Sequence, residues 1–324
     1  MKAIAIEQFG GKEKLKIMDM PIPEPLPGEV QIQIKYTSVN PVDWKIREGY
    51  LQTHLPHQFP IILGWDAAGI VTAIGSGVTQ FKVGDEVFAY CRKSVVQWGT
   101  YAEYICVDAS HVAQKPAALS FAQAAAIPLT ALTAWQALFE AACLQRGETV
   151  LIHAGAGGVG GCAIQFARHI GAIIYTTASA ARHDYVKKLG ATVAIDYTQA
   201  DFVDMLKKHH PDGIDVVLDC VGGKTLQDSF AALKPTGRIV SIVDHMESPP
   251  ADFPHIQPRY VFVRPDGAQL KQIADLLSAY HVVAPTIEEM TLTDAALAQE
   301  KNRSGHTKGK IVLKVQGLAG TASK

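Results

Sequence analysis

A short glycine-rich run near the middle of the chain combines small residues with a spacing that suits phosphate binding. It follows the apolar run ETVLIHA and opens the segment CAIQFARHIGA, so it reads as G-x-G-x-x-G between a strand and a helix. We expect Gly155 to permit the tight turn, Gly157 to let backbone approach a pyrophosphate, and Gly160 to let helix and strand pack closely. The helix N-terminus would offer N–H groups to the phosphates. The predicted dinucleotide-binding residues are Gly155, Ala156, Gly157, Gly158, Val159 and Gly160.

The residues after the next strand indicate which dinucleotide binds. NAD enzymes place an acidic residue there to hold the ribose 2′-hydroxyl. Here the strand IIYTTAS ends in Ser179, no acid occurs before Asp184, Arg182 lies in between, and Tyr197 ends the following strand. A hydroxyl and a guanidinium suit a 2′-phosphate, which a carboxylate would repel. The pattern favours NADPH; the alternative is that Arg182 is only a solvated residue at a helix start.

The chain divides into two parts with different sequence patterns. As far as about Leu119, short strand-like runs such as KAIAI, EVQIQIKYT and DEVFAY are separated by Pro and Gly, which suggests an antiparallel, barrel-like β domain. From Ser120 a long helical stretch, SFAQAAAIPLTALTAWQALFEAA, leads into alternating strands and amphipathic helices that end with the strand-like run YVFVRP. That alternation predicts a doubly wound parallel sheet, so the fold class is α/β.

Composition narrows the class of partner. With 30 basic and 31 acidic residues among 324, the formal net charge is −1, which gives no electrostatic reason to expect nucleic acid. No run approaches the roughly 20 apolar residues of a membrane helix. The start MKAIAIEQFGG lacks the apolar core of a secretion signal, so we expect a cytoplasmic protein without a membrane partner. The five cysteines are dispersed without a CxxC pair, and we expect all of them to be core residues.

Several motifs together resemble one family. The segment around the glycine run, with Gly147-Glu148 before it and Gln165 and Arg168 after it, is similar to the quinone oxidoreductase and ζ-crystallin signature of the medium-chain dehydrogenase/reductase superfamily. The resemblance extends over nearly the whole chain and keeps the family's order of motifs. The other matching segments are NPVDWKIREG (Asn40–Gly49), ILGWDAAGIV (Ile62–Val71), VGDEVFA (Val83–Ala89), IPLTALTAW (Ile127–Trp135) and the closing GHTKGKIVLKV.

This resemblance implies a domain arrangement. A Rossmann doubly wound parallel sheet, residues 120–263, would be inserted into a GroES-like β-barrel domain of residues 1–119 plus 264–324. It also implies NADPH as cofactor, a small quinone or enone as substrate, and a homodimer formed by edge pairing of the last Rossmann strands, where YVFVRP would be exposed.

Departures from the zinc alcohol dehydrogenases are equally informative. That branch carries a cysteine in the segment that reads Asn40-Pro-Val-Asp43 here, and Gly-His-Glu where this chain reads Gly64-Trp65-Asp66. Catalytic zinc needs three protein ligands and an open position, so we expect no metal. Without a Lewis acid to polarise an alkoxide, reduction of an electron-poor acceptor is favoured over alcohol oxidation.

The resemblance places Asn40, Asp43 and Lys45 near nicotinamide and substrate as catalytic residues. Lys45 or Asn40 could hydrogen-bond the substrate carbonyl as charge develops on its oxygen. For Asp43 a structural turn residue, and for Lys45 an exposed lysine, are equally good readings. Trp65, as an aromatic wall, and Asp66 are expected at the substrate; a buried packing role for Trp65 is at least as good.

Further cofactor contacts are carried over from the family. Two threonines would lie beside the nicotinamide and phosphates, two residues at the end of the fourth strand beside adenine and ribose, and two after the last strand beside the carboxamide. A lysine would lie near the phosphates. In that order they are Thr130, Thr133, Cys220, Val221, Phe262, Val263 and Lys310. Strand-end packing is the alternative for each.

Three other functions stay open at this point. A zinc-containing or zinc-free alcohol dehydrogenase would share the fold, and an enoyl-thioester reductase would need a basic patch that spacing alone does not locate. A non-enzymatic NADPH-binding protein, like the crystallin or RNA-binding relatives, is disfavoured by the intact glycine pattern.

Overall fold

The computed structural model describes residues 1–279, 281–305, 307 and 309–315. Two compact units result: the first holds Met1–Leu129 and the residues from Pro265 onward, and the second holds Thr130–Arg264. The sequence placed the first boundary earlier, at Ser120. The difference arises because the short helix Phe121–Ala125 packs against several strands of the first unit. The change from strand-like to helical sequence therefore precedes the change of unit.

The order of strands and helices agrees with the two sequence patterns: mostly strands first, then strands alternating with helices. The strands are β1 (Lys2–Ile6), β2 (Lys16–Asp19), β3 (Glu29–Ser38), β4 (Ile61–Ile62), β5 (Asp66–Ile74), β6 (Glu86–Tyr90), β7 (Tyr104–Asp108), β8 (Val112–Gln114), β9 (Thr149–Ile152), β10 (Ile173–Thr177), β11 (Val193–Ile195), β12 (Ile214–Asp219), β13 (Leu233–Ser241), β14 (Pro258–Tyr260), β15 (Ile287–Thr291) and β16 (Lys310–Lys314). The helices are α1 (Pro41–Arg47), α2 (Phe121–Ala125), α3 (Pro128–Trp135), α4 (Gly158–Ile170), α5 (His183–Leu189), α6 (Phe202–His209), α7 (Gly223–Ser229), α8 (Gly267–Ser278) and α9 (Ala295–Arg303).

The first unit is built on two mainly antiparallel sheets, in which β15 and β16 form the one parallel pair among the described strands. The larger runs in the order β15-β16-β3-β5-β6-β8, with β7 also paired to β3, and β2-β1-β4 form a smaller one. Long β3 is central because its apolar residues Val30, Ile32 and Ile34 are buried among neighbours on both sides. Strand β16 joins from the far end of the chain by pairing with the last residues of β3.

The second unit is a parallel sheet in the order β11-β10-β9-β12-β13-β14. Counted within the unit this is 3-2-1-4-5-6, the Rossmann order, and it confirms the predicted fold class. Strand β9 is central and fully buried, as expected for a parallel strand covered on both faces. Its carboxyl end leads into the glycine run, so the fold places that run where dinucleotides bind in such sheets.

Two expectations about elements are wrong. The run YVFVRP is not a strand: β14 ends at Tyr260, and the Arg264 backbone N–H and C=O bond to the side chain of Gln136 instead, at 3.0 Å each. The last strand at this edge of the sheet is therefore β14, and a homodimer through it stays a prediction. The long helical stretch is also broken, because Pro128 lacks an N–H and starts α3, which passes into a π-helical turn at Gln136–Ala141.

Cysteine placement matches the expectation only in part. Cys91, Cys106 and Cys162 are buried, Cys220 is half-buried, and Cys143 is exposed. Cys143 lies in a left-handed backbone conformation, with φ of 51°, shortly after the π-helical turn. In the described part of the chain, no helix is both long and apolar enough to cross a membrane.

Candidate functional site

The glycine run forms a loop between β9 and α4, as predicted, and its middle residues Ala156–Val159 are partly exposed. The Gly157 N–H bonds to the Ala154 carbonyl at 2.9 Å, and no side chain caps the start of α4. The first N–H groups of a helix have no acceptor within it, so they can serve an external anion. The loop therefore has the exposed backbone and the uncapped helix start that phosphate binding requires.

The glycines act through contacts that differ from one another. A Cβ at Gly160 would overlap the Ala154 carbonyl oxygen, so this glycine allows the close helix–strand approach that we expected. At Gly157 the nearest atom to an added Cβ would be that same oxygen, at 3.2 Å, which leaves room above the loop. Gly155 is required because a Cβ would overlap the Thr176 hydroxyl. The left-handed residue of the turn is Ala154, with φ of 52°.

The residues predicted to select the 2′-phosphate follow adjacent parallel strands. Ser179 comes just after β10 and precedes the short turn Ala180–Arg182, and Tyr197 comes just after β11. Thr177 of β10 pairs with Ile195 of β11, so both strands end at the same edge of the sheet. Arg182 is half-buried and forms no side-chain hydrogen bond or ion pair with any described residue, and Tyr197 is 61% exposed. The guanidinium is available to a ligand.

Sequence reasoning missed a buried polar chain beneath the loop. His153, directly before the loop, contacts the Thr177 hydroxyl through Nδ1 at 3.1 Å and the Ser229 hydroxyl through Nε2 at 2.9 Å. The Thr177 hydroxyl also accepts the Ala154 N–H at 3.1 Å. Burial lowers the pKa of His153 to about 4, so the imidazole is neutral at pH 7. The one signal in the sequence was a histidine at the end of an otherwise apolar strand.

The end of β12 is shaped by a buried acid. Asp219 accepts the N–H groups of Val221 and Gly222, at 3.0 and 2.9 Å, and the Ser241 hydroxyl at 2.7 Å. These bonds hold the predicted cofactor residues Cys220, half-buried, and Val221, 49% exposed, at the carboxyl edge of the sheet. Neither Asp219 nor Ser241 was singled out from the sequence.

The remaining predicted cofactor residues of the second unit have mixed exposure. Thr130 and Thr133 on α3 are each 4% exposed, and the Cys162 thiol lies 4.0 Å from the Thr130 hydroxyl. Phe262 is 39% exposed, whereas Val263 is buried. Their contact with a nicotinamide stays a prediction.

The first unit brings Asn40, Asp66 and Lys310 together in a buried cluster. Asn40 donates from Nδ2 to Asp66 Oδ2 at 2.7 Å and accepts from Lys310 Nζ at 2.5 Å. Lys310 Nζ also donates to the Val39 carbonyl at 2.8 Å and lies 3.9 Å from Asp66 Oδ2. Asp66 accepts the Ser38 hydroxyl at 2.6 Å and, at the start of α3, the Leu129 N–H at 2.7 Å. Burial raises the pKa of Asp66, and Lys310 opposes that shift.

Lys310 therefore lies in a different setting from the phosphate contact expected from the family. Lys310 is 4% exposed, and its ammonium contacts Asn40, Asp66 and the Val39 carbonyl within the first unit. A phosphate contact would require it to leave three partners, and the contact of Lys310 with the cofactor phosphates stays a prediction.

Asp43 is fully buried and is shaped by α1. Its Oδ2 accepts the Asn40 backbone N–H at 2.8 Å, which closes the first turn of the helix, and the Tyr101 hydroxyl at 2.9 Å. Oδ1 has no hydrogen-bond partner among the described residues. Burial raises the pKa of Asp43 to about 7, against the lowering effect of those hydrogen bonds. Tyr101 was not recognised from the sequence.

Lys45 and Trp65 complete the predicted substrate side. Lys45 is half-buried on α1 with its Nζ 5.8 Å from the Trp44 ring centre. It does not meet Asp43, because residues two apart on a helix face different directions. Trp65 is 4% exposed and packs edge-on against Tyr90 at 6.1 Å, so the packing interpretation describes this structure better than an aromatic wall.

Comparison with known families matches both units. Residues 26–117 match the alcohol dehydrogenase GroES-like domain, and residues 189–313 match the family described as zinc-binding dehydrogenase. Within the described residues, no three His, Cys, Asp or Glu side chains gather as a metal-binding group.

Solved structures are similar over nearly the whole length. The quinone oxidoreductase of Coxiella burnetii is 36% identical, with a TM-score of 0.86 over 98% of this chain and 99% of that one. The Escherichia coli quinone oxidoreductase, solved as a complex with NADPH, is 29% identical, with a TM-score of 0.84 over 97% of this chain and 100% of that one.

Curated relatives carry different names. The 2-methylene-furan-3-one reductase of Solanum lycopersicum is 33% identical over 97% of this chain and 79% of that protein. The synaptic vesicle membrane protein VAT-1 homolog of Rattus norvegicus is 35% identical over 74% of this chain, and the match spans only 59% of that longer protein.

Proposed function

Because the chain belongs to the quinone oxidoreductase family of the medium-chain dehydrogenase/reductase superfamily, we propose that it uses NADPH to reduce quinones or α,β-unsaturated carbonyl compounds by hydride transfer. The observation that carries the proposal is the uncapped glycine loop in a Rossmann sheet, together with an arginine after the next strand whose guanidinium pairs with no other described residue. The cofactor supplies the hydride, and the protein binds it, orients it and excludes water.

The 2′-phosphate side of the proposal depends on charge. Ser179 stands where NAD enzymes carry an acid, and Arg182 follows it with its guanidinium unpaired among the described residues. Tyr197, largely exposed after the neighbouring strand, is suited to cover the adenine ring. Two relatives support this choice by name: the quinone oxidoreductase solved with NADPH, and an NADPH-dependent alkenal/one oxidoreductase of Arabidopsis thaliana.

The part of the proposal that concerns the substrate, which accepts the hydride, depends on the polar cluster of the first unit. Lys310 already supplies a cation beside Asn40 and Asp66, and Trp65 stands where the zinc branch has histidine, so we propose chemistry without a catalytic metal. The side-chain oxygen of Asn40 accepts from Lys310, and one hydrogen of its Nδ2 goes to Asp66. Its second Nδ2 hydrogen remains to donate to a substrate. Half-buried Lys45, whose ammonium contacts the Trp44 ring, is the better candidate to bind the carbonyl oxygen of the acceptor.

The test is NADPH oxidation, followed by absorbance with a panel of quinones and enones, with NADH in parallel and with and without chelator. We expect turnover that prefers NADPH and is indifferent to the chelator, and the best acceptor distinguishes quinone from enone. Loss of activity on chelation, restored by zinc, would favour an alcohol dehydrogenase instead. Tight NADPH binding without turnover of any acceptor would refute the reaction.

Replacing Arg182 tests the choice of cofactor. We expect Arg182→Ala to raise the Kd for NADPH about ten- to hundredfold and to leave the Kd for NADH within about twofold, because a charged hydrogen bond to the phosphate contributes about 1.5–3 kcal/mol. Fluorescence titration measures both constants. The matched control is Arg146→Ala, which removes an exposed arginine before the amino end of β9. Equal weakening of NADPH and NADH would show that Arg182 does not read the 2′-phosphate.

A further inference from the structure

The hydroxyl of Ser229 determines which nitrogen of His153 carries the proton. Ser229 Oγ donates to the Thr225 carbonyl at 2.6 Å, and a hydroxyl has a single hydrogen. In its contact with His153 at 2.9 Å the serine oxygen must therefore accept, and Nε2–H donates. The neutral ring then has its lone pair on Nδ1.

The hydrogen bonds on the other side of the His153 ring follow the same donor-to-acceptor direction. Nδ1 can only accept, so the Thr177 hydroxyl donates to it at 3.1 Å, and the same oxygen accepts the Ala154 N–H at 3.1 Å. The chain runs in one direction, from the Ala154 amide through Thr177, His153 and Ser229 to the Thr225 carbonyl. All three side chains are buried, so each bond satisfies a group that water cannot reach.

The first member of this chain is the residue that shapes the loop. Ala154 is held in a left-handed conformation that an alanine rarely adopts, and its carbonyl accepts the Gly157 N–H and lies against Gly160. The next residue is tied to the same strand end, since the Gly155 N–H donates to the Thr177 carbonyl at 3.1 Å. Two successive amides are thus fixed by Thr177.

We infer that His153, as its Nε2–H tautomer, and Thr177 are positioning residues that hold the phosphate loop in the shape that binds the dinucleotide. Neither touches the cofactor; they act through the Ala154 amide. The groups that face the His153 ring are the Phe202 ring on α6 at 4.8 Å, the hydroxyls on β10 and α7, and the Asp219 carboxylate on β12, whose charge opposes the lowered pKa. The inference rests on the proposed binding of NADPH.

The test compares Thr177→Val with Thr177→Ser. Valine keeps the shape and removes the hydroxyl, so we expect the Kd and KM for NADPH to rise about tenfold with kcat within about twofold, while serine restores both constants to within about twofold. Thr37→Val is the matched control: it removes a buried threonine hydroxyl, 2.7 Å from Thr100, in the first unit. We expect it to lose stability without changing the Kd for NADPH.

A second readout does not depend on the cofactor. In protein labelled with ¹⁵N-histidine, the resonances absent from His153→Gln belong to His153. We expect them to show a neutral ring protonated at Nε2 from pH 8 to pH 5.5, and Nδ1 to shift in Thr177→Val. A ring protonated at Nδ1, or Thr177→Val that binds NADPH as tightly as the wild type, would overturn the inference alone. Failure of the wild type to bind NADPH would refute the proposed function and, with it, the role in binding, even with the tautomer as expected.

Discussion

Lys310→Met is expected to lower the free energy of unfolding by about 3–5 kcal/mol, because it leaves the buried Asp66 carboxylate without its cation. The methionine has a similar length, so the loss comes from charge and hydrogen bonds more than from volume. The Val39 carbonyl and Asn40 Oδ1 also lose their donor. Urea unfolding followed by tryptophan fluorescence measures the change.

The double variant Asp66→Asn/Lys310→Met separates charge from packing. We expect the double variant to recover most of the lost free energy of unfolding, because neither charge is then buried alone. We also expect the destabilisation by Lys310→Met alone to shrink at low pH, where Asp66 is protonated. Lys271→Met is the control: it breaks an exposed ion pair with Asp275 and should cost less than about 1 kcal/mol. If Lys310→Met were no worse than this control, the cluster would not be an ion pair that holds the first unit together.

This cluster shows where sequence reasoning stops. The alternation in β3 and the apolar runs of β9 and β12 indicate strands, and the strand–helix repeat predicts a doubly wound parallel sheet, because these patterns are local. Asn40 and Lys310 lie 270 positions apart, and only β16 pairing with β3 brings the lysine to the asparagine. Their contact depends on the register between distant strands, which no local pattern contains.

Side-chain direction was equally out of reach in α1. Asp43 and Lys45 were assigned together from one motif, yet one is buried against Tyr101 and the other is half-buried beside Trp44. Likewise, the glycine pattern located the loop correctly, but the left-handed residue proved to be Ala154 and the anchor Thr177. The spacing identified the loop, and the contacts that give it its shape come from the neighbouring strand.

The stability of the wild type is expected to fall, relative to Asp43→Asn, as the pH rises from about 4 to 7. The Asp43 carboxyl loses its proton near pH 3.8 in the unfolded chain, whereas burial raises its pKa to about 7 in the folded protein. Across that window the folded state binds more protons, so raising the pH favours unfolding. At 1.36 kcal/mol per pKa unit the difference approaches about 4 kcal/mol. Urea unfolding of both proteins at pH 4.5 and pH 8 measures it.

Tyr101→Phe tests whether the hydrogen bond to Asp43 sets the upper end of this pH range. It removes the hydroxyl that donates to Asp43 Oδ2 and lowers the pKa, so the pH-dependent loss should extend further above pH 7 than in the wild type. The Asn40 backbone N–H still donates to Asp43 Oδ2, so the start of α1 is unchanged. Parallel stability curves for the wild type and Asp43→Asn would mean that the folded carboxyl titrates like an exposed one. In that case the orphan Oδ1 must be reached by water, and Asp43 would not hold a proton near neutral pH.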